Sequence, residues 1–268
     1  MTTSDHSPAL ALVTGASSGI GATYARKLAA RGHSLVLVAR DESRLSSLAE
    51  TLRQDAGVEV EILVADLSRA DDLRRVEARI REPDISLFVN NAGIGPAATL
   101  LAGDIDYLDA MIALNITAAN RLAVAAAQAF SARGQGTIVN IASVVALAPD
   151  MFNGTYSGSK AFILALTQAL ASELKDTGVR IQAVLPGLTR TEIFDRAGGS
   201  MDHIKPSMVM AVDDMVEAAL AGLDAGELIT LPALEDMSLL DGLTSASLAL
   251  RPHLSTDRPA SRYRAPAE

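Results

Sequence analysis

The sequence predicts an α/β protein built on one doubly wound, seven-stranded parallel sheet with helices on both faces. Three observations predict it: short β-branched runs alternate with segments of helical spacing, several runs are apolar on both faces, and a glycine-rich turn joins the first run to the first helix. Strands that are apolar on both faces are typical of parallel sheets covered by helices on two sides. At 268 residues the chain fits one domain of this kind.

Seven runs have the composition of strands. They are Leu10–Thr14, Leu35–Ala39, Val58–Ala65, Ile85–Asn90, Thr137–Ser143, Arg180–Leu185 and the weaker Leu228–Leu231. Five segments between them space their apolar residues as helices do. They are Ile20–Ala30, Glu42–Gln54, Asp71–Ile80, Tyr107–Phe130 and Thr155–Lys175. This alternation predicts βαβ units and therefore a parallel sheet.

Two regions depart from the pattern. Residues 187–210 follow a predicted strand, lack periodicity and contain Gly198-Gly199, so we interpret them as a candidate lid. Residues 251–268 hold three prolines and four arginines among few apolar residues, which predicts a flexible C-terminal tail. A tail that reaches across a subunit is the alternative. The folded domain is thus predicted to span residues 1–250.

Composition excludes several function classes. The formal net charge of −9 argues against nucleic acid or an anionic membrane as the main partner. The absence of cysteine excludes disulfides, a thiolate nucleophile and a sulfur-ligated zinc site, and we predict no metal site. Apolar runs such as Leu122–Ala127 fall short of the ~18–20 residues of a membrane span, and the N-terminal residues do not resemble a signal peptide. We therefore expect a cytoplasmic protein.

The glycine-rich turn between the first strand and the first helix predicts a dinucleotide site. Glycines allow a tight turn and let backbone N–H groups approach a pyrophosphate at the positive end of the helix. Three glycines alone are weak evidence, but their place between a strand and a helix favours this function. The residues expected to bind the cofactor here are Gly15, Ser17, Ser18, Gly19, Ile20 and Gly21.

The turn resembles the T-G-x-x-x-G-x-G motif of the classical short-chain dehydrogenase/reductase (SDR) family, with a complete match from Thr14 to Gly21. Further motifs of that family follow in its order, so that the resemblance covers residues 12–190. They are Asn90-Asn91-Ala92-Gly93, Asn115, Ser143, Tyr156 with Lys160, and Pro186-Gly187 with Thr189. The resemblance implies a single-domain Rossmann fold and an NAD(P)-dependent enzyme that interconverts a carbonyl and an alcohol (EC 1.1.1.-). It also implies cofactor contacts from residues Asp66, Leu67, Asn91, Ala92, Gly93, Tyr156, Lys160, Pro186, Gly187 and Thr189.

Tyr156 and Lys160 are four residues apart and share one helix face. A phenol has a pKa of about 10, and a nearby ammonium favours its ionised form. The resemblance makes Tyr156 the general acid or base, with Ser143 beside it on the substrate oxygen. Lys160 is expected to bind the nicotinamide ribose and to lower the pKa of Tyr156.

Asn115 is the fourth expected catalytic residue, and it would hold a water that connects Lys160 to solvent. The alternatives from the residues alone are structural: Asn115 bonded to a buried carbonyl, Ser143 as a cap, and Asn90 as a turn stabiliser. We expect the turn-stabilising function for Asn90, and we expect Ser143 to close the fifth strand.

The end of the second strand predicts the cofactor. It reads Val38-Ala39-Arg40, with a guanidinium where a carboxylate would otherwise bind the ribose of NAD. Arginine can hold a 2′-phosphate by two charge-assisted hydrogen bonds. We therefore predict NADP(H) over NAD(H), with Arg44 reinforcing Arg40 if the helix starts early. Two alternatives stay open: Arg40 is a solvated charge, or Asp41 reaches the ribose.

The residues expected near the substrate are mainly apolar, which predicts a carbonyl compound with an apolar body. They are Ser143, Val145, Phe152, Tyr156, Leu188 and Phe194, with Ile94, Gly95, Leu147 and Met151 as further candidates. We favour reduction as the direction, because a preference for NADP usually accompanies reduction. Arg190 either binds an acidic substrate group or forms a salt bridge at the lid base. The alanine-rich helices 107–130 and 155–174 predict a homodimer or homotetramer. Rival functions are an NAD-dependent alcohol dehydrogenase, a non-catalytic NADP(H)-sensing regulator and a scaffold subunit with a vestigial site.

Overall fold

The computed structural model describes residues 9–191 and 205–263. The chain divides into two compact units, residues 1–232 and 233–268. The strands of the first unit are β1 (Leu10–Thr14), β2 (Ser34–Ala39), β3 (Val60–Val64), β4 (Ile85–Asn90), β5 (Gly136–Ile141), β6 (Val179–Val184) and β7 (Ile229–Thr230). Its helices are α1 (Gly19–Ala30), α2 (Glu42–Ala56), α3 (Ala70–Arg81), α4 (Ile105–Ile112), α5 (Ala119–Arg133), α6 (Gly154–Glu173) and α7 (Val212–Asp224).

The seven strands form one parallel sheet in the order β3-β2-β1-β4-β5-β6-β7, as predicted. Successive residues of β1 explain the two helical layers. Ala11 and Val13 belong to the core under α1, α2 and α7, whereas Leu12 belongs to the core under α3 and α5. Since adjacent side chains of a strand point to opposite faces, continuous apolar strands require a helix layer on each side.

The strand order reverses between β1 and β4, because the chain builds outward from β1 to β3 and then returns to the other side of β1. In open α/β sheets a ligand crevice lies outside the carboxyl ends of the strands at such a reversal. The glycine turn, the N-N-A-G motif and Ser143 all follow strand ends at this edge.

The long helix predicted over residues 107–130 is not regular. A π-helical segment, Ala113–Ala118, interrupts it between α4 and α5. The combined helix, Ile105–Arg133, is long and apolar enough to cross a membrane by length and composition alone, although half of its most apolar window is buried. Leu122, Ala126 and Phe130 are buried in the core beside β4 and β5. Core packing thus accounts for its apolar character.

The predicted lid and tail fall partly outside the described residues. Residues 192–204 and 264–268 are not described, so the lid and the tail's flexibility stay predictions. The described parts of the lid meet where Thr189 pairs with Met210 in a single parallel bridge. The second unit contains α8 (Ser238–Leu250), which the sequence analysis did not predict, and two short helical turns at Arg251–His253 and Ser261–Tyr263.

Candidate active site

A cavity of about 950 Å³ opens at the carboxyl edge of the sheet. It brings together most of the predicted site. The predicted residues that line it are Gly15, Ser17, Ser18, Gly19, Ile20, Arg40, Asp66, Leu67, Asn91, Ala92, Gly93, Ser143, Val145, Phe152, Tyr156, Lys160, Pro186, Gly187, Leu188 and Thr189. Gly21, Arg44 and Asn115 do not line it. Phe194 lies outside the described residues.

In the glycine turn, backbone segments lie close to one another. Gly15 has a positive φ of 66°, a conformation that side chains rarely adopt. A Cβ on Gly21 would lie 2.3 Å from the Gly15 carbonyl oxygen, so Gly21 is required for packing, without reaching the cavity. Asn91 donates its side-chain amide to the Thr14 carbonyl at 2.9 Å and fills the remaining space. The N-terminus of α1 therefore faces the cavity as a dinucleotide pyrophosphate requires.

The Thr14 hydroxyl joins the glycine turn to the N-N-A-G motif. It donates to the Val89 carbonyl at 3.3 Å and accepts the backbone N–H groups of Asn91 and Ala92 at 2.9 and 3.1 Å. Asn90 is buried and donates to the Ala119 carbonyl and to Asn140. These bonds join β4 to α5 and β5, and the turn-stabilising function expected for Asn90 stays a prediction.

At the end of β2, the charged residues Arg40, Asp41 and Arg44 make different contacts. Asp41 caps α2 by accepting the Arg44 backbone N–H at 3.0 Å, a bond that lowers the pKa of its carboxyl group. The side chain of Arg44 pairs with Asp41 at 3.5 Å, away from the cavity lining. Arg40 lines the cavity and has no ion pair within 4 Å in the described part of the chain. The guanidinium of Arg40 is thus the cation presented to a ligand.

Asn153 fixes the start of the helix that carries the Tyr–Lys pair. Its side-chain oxygen accepts the backbone N–H groups of Thr155 and Tyr156 at 3.0 and 3.2 Å, and its amide donates to the Ala98 carbonyl at 2.8 Å. Asn is among the residues preferred at this position because it satisfies N–H groups that the helix leaves unpaired. The cap holds Tyr156 in the first turn of α6.

Tyr156, Lys160 and Ser143 meet at the cavity. The Lys160 ammonium lies 5.7 Å from the centre of the Tyr156 ring, and the Ser143 side chain lies next to the phenol. Ser143 also contacts the Pro186 carbonyl, at 3.3 Å. The expectation that Ser143 closes the fifth strand was wrong, because β5 ends at Ile141 and Ser143 begins the turn beyond it.

The pKa of Tyr156 moves in the direction opposite to the expectation. Burial raises it to about 12, while the neighbouring Ser143 hydroxyl lowers it. Burial also lowers the pKa of Lys160 to about 8, and its ammonium donates to the Ile141 carbonyl at 3.0 Å. Desolvation outweighs the attraction between the two side chains. Tyr156 is therefore a protonated phenol at neutral pH, which suits it to donate a proton.

Asn115 holds the loop that follows the N-N-A-G motif. From the π-helical segment its amide donates to the Ile94 carbonyl and its oxygen accepts the Ile94 N–H, both at 2.9 Å. It also donates to the Ser159 hydroxyl at 3.3 Å, and a Cβ on Gly93 would lie 3.0 Å from its oxygen. Its side chain thus positions the cavity wall; holding a water for Lys160 stays a prediction.

Apolar residues line the part of the cavity where the substrate is expected. Ile94, Gly95 and Met151 line the cavity with the predicted substrate residues, whereas Leu147 does not. The ring of Phe152 meets the Tyr156 ring edge to face, with centres 5.7 Å apart.

Several lining residues were missed by the sequence analysis. They are Val38, Ala39, Ala65, Pro96, Tyr107, Leu114, Ile141, Ala142, Val144 and Thr191. Asp41, which the sequence left open as a ribose contact, also lines the cavity. Tyr107 donates its hydroxyl to the Gly95 carbonyl at 2.7 Å and so supports the same loop as Asn115. Tyr107 lies among the first helical residues after the N-N-A-G loop. This position could have indicated from the sequence that Tyr107 lines the cavity.

Residues 192–204 of the lid lie outside the described residues, so both interpretations of Arg190 stay predictions. Arg190 has no ion pair in the described ranges, and its backbone N–H donates to the Met210 carbonyl at 2.9 Å. The described residues hold no cluster of three or more His, Cys, Asp or Glu side chains that could bind a metal ion.

Comparisons with known proteins agree with this geometry. A family model described as short chain dehydrogenase matches residues 9–200. An uncharacterized oxidoreductase of Staphylococcus saprophyticus is 33% identical over 217 residues, which cover 80% of this chain and 90% of that protein. A very-long-chain 3-oxoacyl-CoA reductase-A of Danio rerio is 32% identical over 207 residues, and the match covers 76% of this chain but 65% of that longer protein.

Two solved structures are similar over nearly the whole chain. A short-chain dehydrogenase from Sphingobium yanoikuyae in complex with NADPH is 46% identical with a TM-score of 0.92, covering 96% of this chain and 100% of that one. A bulky-bulky ketone specific alcohol dehydrogenase from Comamonas testosteroni is 42% identical with a TM-score of 0.87, covering 95% and 98%. The chain therefore belongs to the short-chain dehydrogenase family and is an oxidoreductase of that family.

Proposed function

We propose that this protein is an NADP(H)-dependent reductase of apolar ketones or aldehydes, with Tyr156 as the proton donor. The observation that carries the proposal is the meeting of the Ser143 and Tyr156 hydroxyl groups in one cavity, beside the apolar side chains of Val145, Phe152 and Leu188. Two hydroxyl groups so placed can bind one carbonyl oxygen and stabilise the negative charge that develops on it during reduction.

Each polar residue has a separate task in this mechanism. A bound nicotinamide would supply the hydride. Ser143 orients the substrate oxygen, and Tyr156, protonated at neutral pH because its pKa is about 12, gives it a proton. Lys160, next to the Tyr156 ring, binds the ribose hydroxyls and supplies positive charge beside the phenol when the reaction runs toward the ketone. Asn115 fixes the Gly93–Ile94 wall against which the cofactor rests.

NADP(H) is the cofactor that these residues fit. Arg40 lines the cavity where the 2′-phosphate would lie, and Asp41 is engaged as the cap of α2. A guanidinium binds phosphate by paired charge-assisted bonds, and a carboxylate that is already bonded competes less for the ribose. The Sphingobium relative, which binds NADPH, supports the same choice.

The apolar side chains that line the cavity indicate the substrate class. Val145, Phe152 and Leu188 offer no charge to a ligand, so that an apolar body is favoured there. The Comamonas relative is named for bulky-bulky ketones, which supports ketones with two large substituents.

Turnover with NADPH tests the proposal. Purified protein mixed with NADPH and a panel of ketones and aldehydes should consume NADPH, and Tyr156→Phe should lower kcat by roughly 10²–10⁴-fold, the usual contribution of a positioned general acid. Tyr263→Phe, an exposed tyrosine of the second unit, is the matched control and should leave kcat unchanged. Binding of NADPH without turnover of any carbonyl would favour a sensing regulator, and tighter binding of NADH would favour the NAD-dependent alcohol dehydrogenase.

We also infer a homodimer or homotetramer in the cytoplasm. Exposed Phe162 on α6 and Ile112 at the end of α4 lie on the helices from which the sequence predicts self-association. Sedimentation velocity of the full chain would measure the state, and a monomer at micromolar concentration would contradict it.

A further inference from the structure

An apolar strip, formed by Phe152, Met151 and Leu100, leads out of the cavity past the catalytic tyrosine. Phe152 starts it, because its ring meets the Tyr156 ring edge to face. Met151 precedes it and also lines the cavity. Phe152 and Met151 are 41% and 71% exposed, so both also face solvent at the cavity mouth.

Leu100 extends the strip on the other side of the mouth. A Cβ on Gly154 would lie 3.0 Å from a terminal methyl of Leu100, so the leucine packs over the first residue of α6. The bond from Asn153 to the Ala98 carbonyl holds the two loops together. Leu100 is nevertheless 49% exposed. The three apolar side chains are thus 41–71% exposed beside a cavity that other apolar residues also line.

We propose that this apolar strip continues the substrate pocket and binds the longer of two apolar substituents on the substrate carbonyl. The proposal rests on the proposed ketone reduction. The continuity of the strip with the cavity identifies its occupant, since a substituent on a carbon bound at Ser143 and Tyr156 can leave the cavity past Phe152. A protein partner is disfavoured because a stable interface takes about 800 Å² from each side, far more than three side chains offer.

The strip predicts a dependence of binding on chain length. Each methylene group that moves from water onto an apolar surface strengthens binding by up to roughly fourfold. The substituent makes the same contacts in the ground state and in the transition state, so the effect should fall on KM and leave kcat unchanged. Leu100 lies outside the cavity lining, so its replacement should affect only substrates that are long enough to reach it. Replacement of Met151, which lines the cavity, should affect long substrates more than short ones.

Phenyl n-alkyl ketones provide the test. With NADPH and the full chain, kcat/KM should rise from acetophenone through butyrophenone to hexanophenone by roughly two- to fourfold per methylene. Leu100→Ser should lower kcat/KM for hexanophenone at least fivefold and leave acetophenone within twofold. Met151→Ser, at a residue that also lines the cavity, should lower kcat/KM for hexanophenone at least fivefold more than for acetophenone. Leu228→Ser, an exposed leucine outside the cavity lining, is the matched control and should keep the parent's dependence.

The two proposals fail in different ways. Absence of turnover with every ketone would refute the proposed function. Two results would refute only the proposal about the strip. One is a kcat/KM of the parent that does not change with chain length, and the other is an increase of kcat/KM with chain length that persists in both serine variants. Met151 makes no hydrogen bond through its side chain and is the more exposed of the two, so Met151→Ser gives a folded variant even if Leu100→Ser does not.

Discussion

Replacing Lys160 by methionine should stabilise the protein at neutral pH while abolishing its activity. Burial lowers the pKa of Lys160 from 10.5 to about 8. Each pKa unit corresponds to ~1.4 kcal/mol, so burial in the folded protein disfavours the charged form of Lys160, relative to the neutral form, by ~3 kcal/mol. Methionine is similar in length and carries no charge. It leaves the Ile141 carbonyl without the donor at 3.0 Å, at a cost of ~1–2 kcal/mol. The net gain expected at pH 7 is ~1–2 kcal/mol.

The sign of the pH dependence follows from the same shift. The folded pKa of Lys160 lies below its unfolded value, so the unfolded chain holds this proton more tightly between pH 8 and pH 10.5. The contribution of Lys160 to the stability of the parent is therefore present above pH 10.5 and lost as the pH falls to 8. The advantage of Lys160→Met should be constant below pH 8 and should shrink as the pH rises toward 10.5.

Urea unfolding of the cofactor-free proteins measures this difference. Circular dichroism at 222 nm is the suitable signal, because the chain has no tryptophan. Lys160→Arg, which keeps the charge, should show no gain. If Lys160→Met is less stable than the parent at pH 7, or if the gap between them is the same at pH 7 and pH 10, then desolvation of Lys160 is not the cause.

Three further predictions concern binding and helix capping. Arg40→Ala should weaken NADPH binding by roughly 10–100-fold in a fluorescence titration, because it removes a charge-assisted contact, and should leave NADH unchanged; equal losses for both cofactors would contradict the assignment. Gly21→Ala should abolish NADPH binding by the same titration, because the added Cβ would lie 2.3 Å from the Gly15 carbonyl oxygen. Asn153→Ala should lower the free energy of unfolding by ~1 kcal/mol and reduce kcat, because it removes the cap that holds Tyr156; Asn153→Asp keeps the cap oxygen and should retain most of both.

The sheet could be predicted because its signals are local. β1 and β4 begin and end at the predicted residues: Gly15 follows the run of β1, and the run of β4 lies between Asp84 and Asn91. The helix α7 was missed although Met215, Ala219 and Leu223 bury one face of it, because the aperiodic region before it obscured the pattern.

The site residues were predicted more securely than their functions. Motif spacing places Tyr156, Lys160 and Ser143 at one cavity, but spacing contains no information about burial. Burial decides the direction in which the pKa of Tyr156 shifts. Asp41 caps α2 and pairs with the side chain of Arg44, which does not line the cavity. The function of Asn115 depends on Ile94, a contact across 21 positions that no local pattern specifies.

The Thr14 hydroxyl has a consequence for motion within the site. One oxygen is bonded to the loop after β4 by two backbone N–H groups, and it belongs to the residue that leads into the glycine turn. Opening of either loop would break bonds to the other, so the glycine turn and the N-N-A-G loop are expected to open together. Ordering of one loop by the cofactor would therefore leave less conformational entropy to lose in the other.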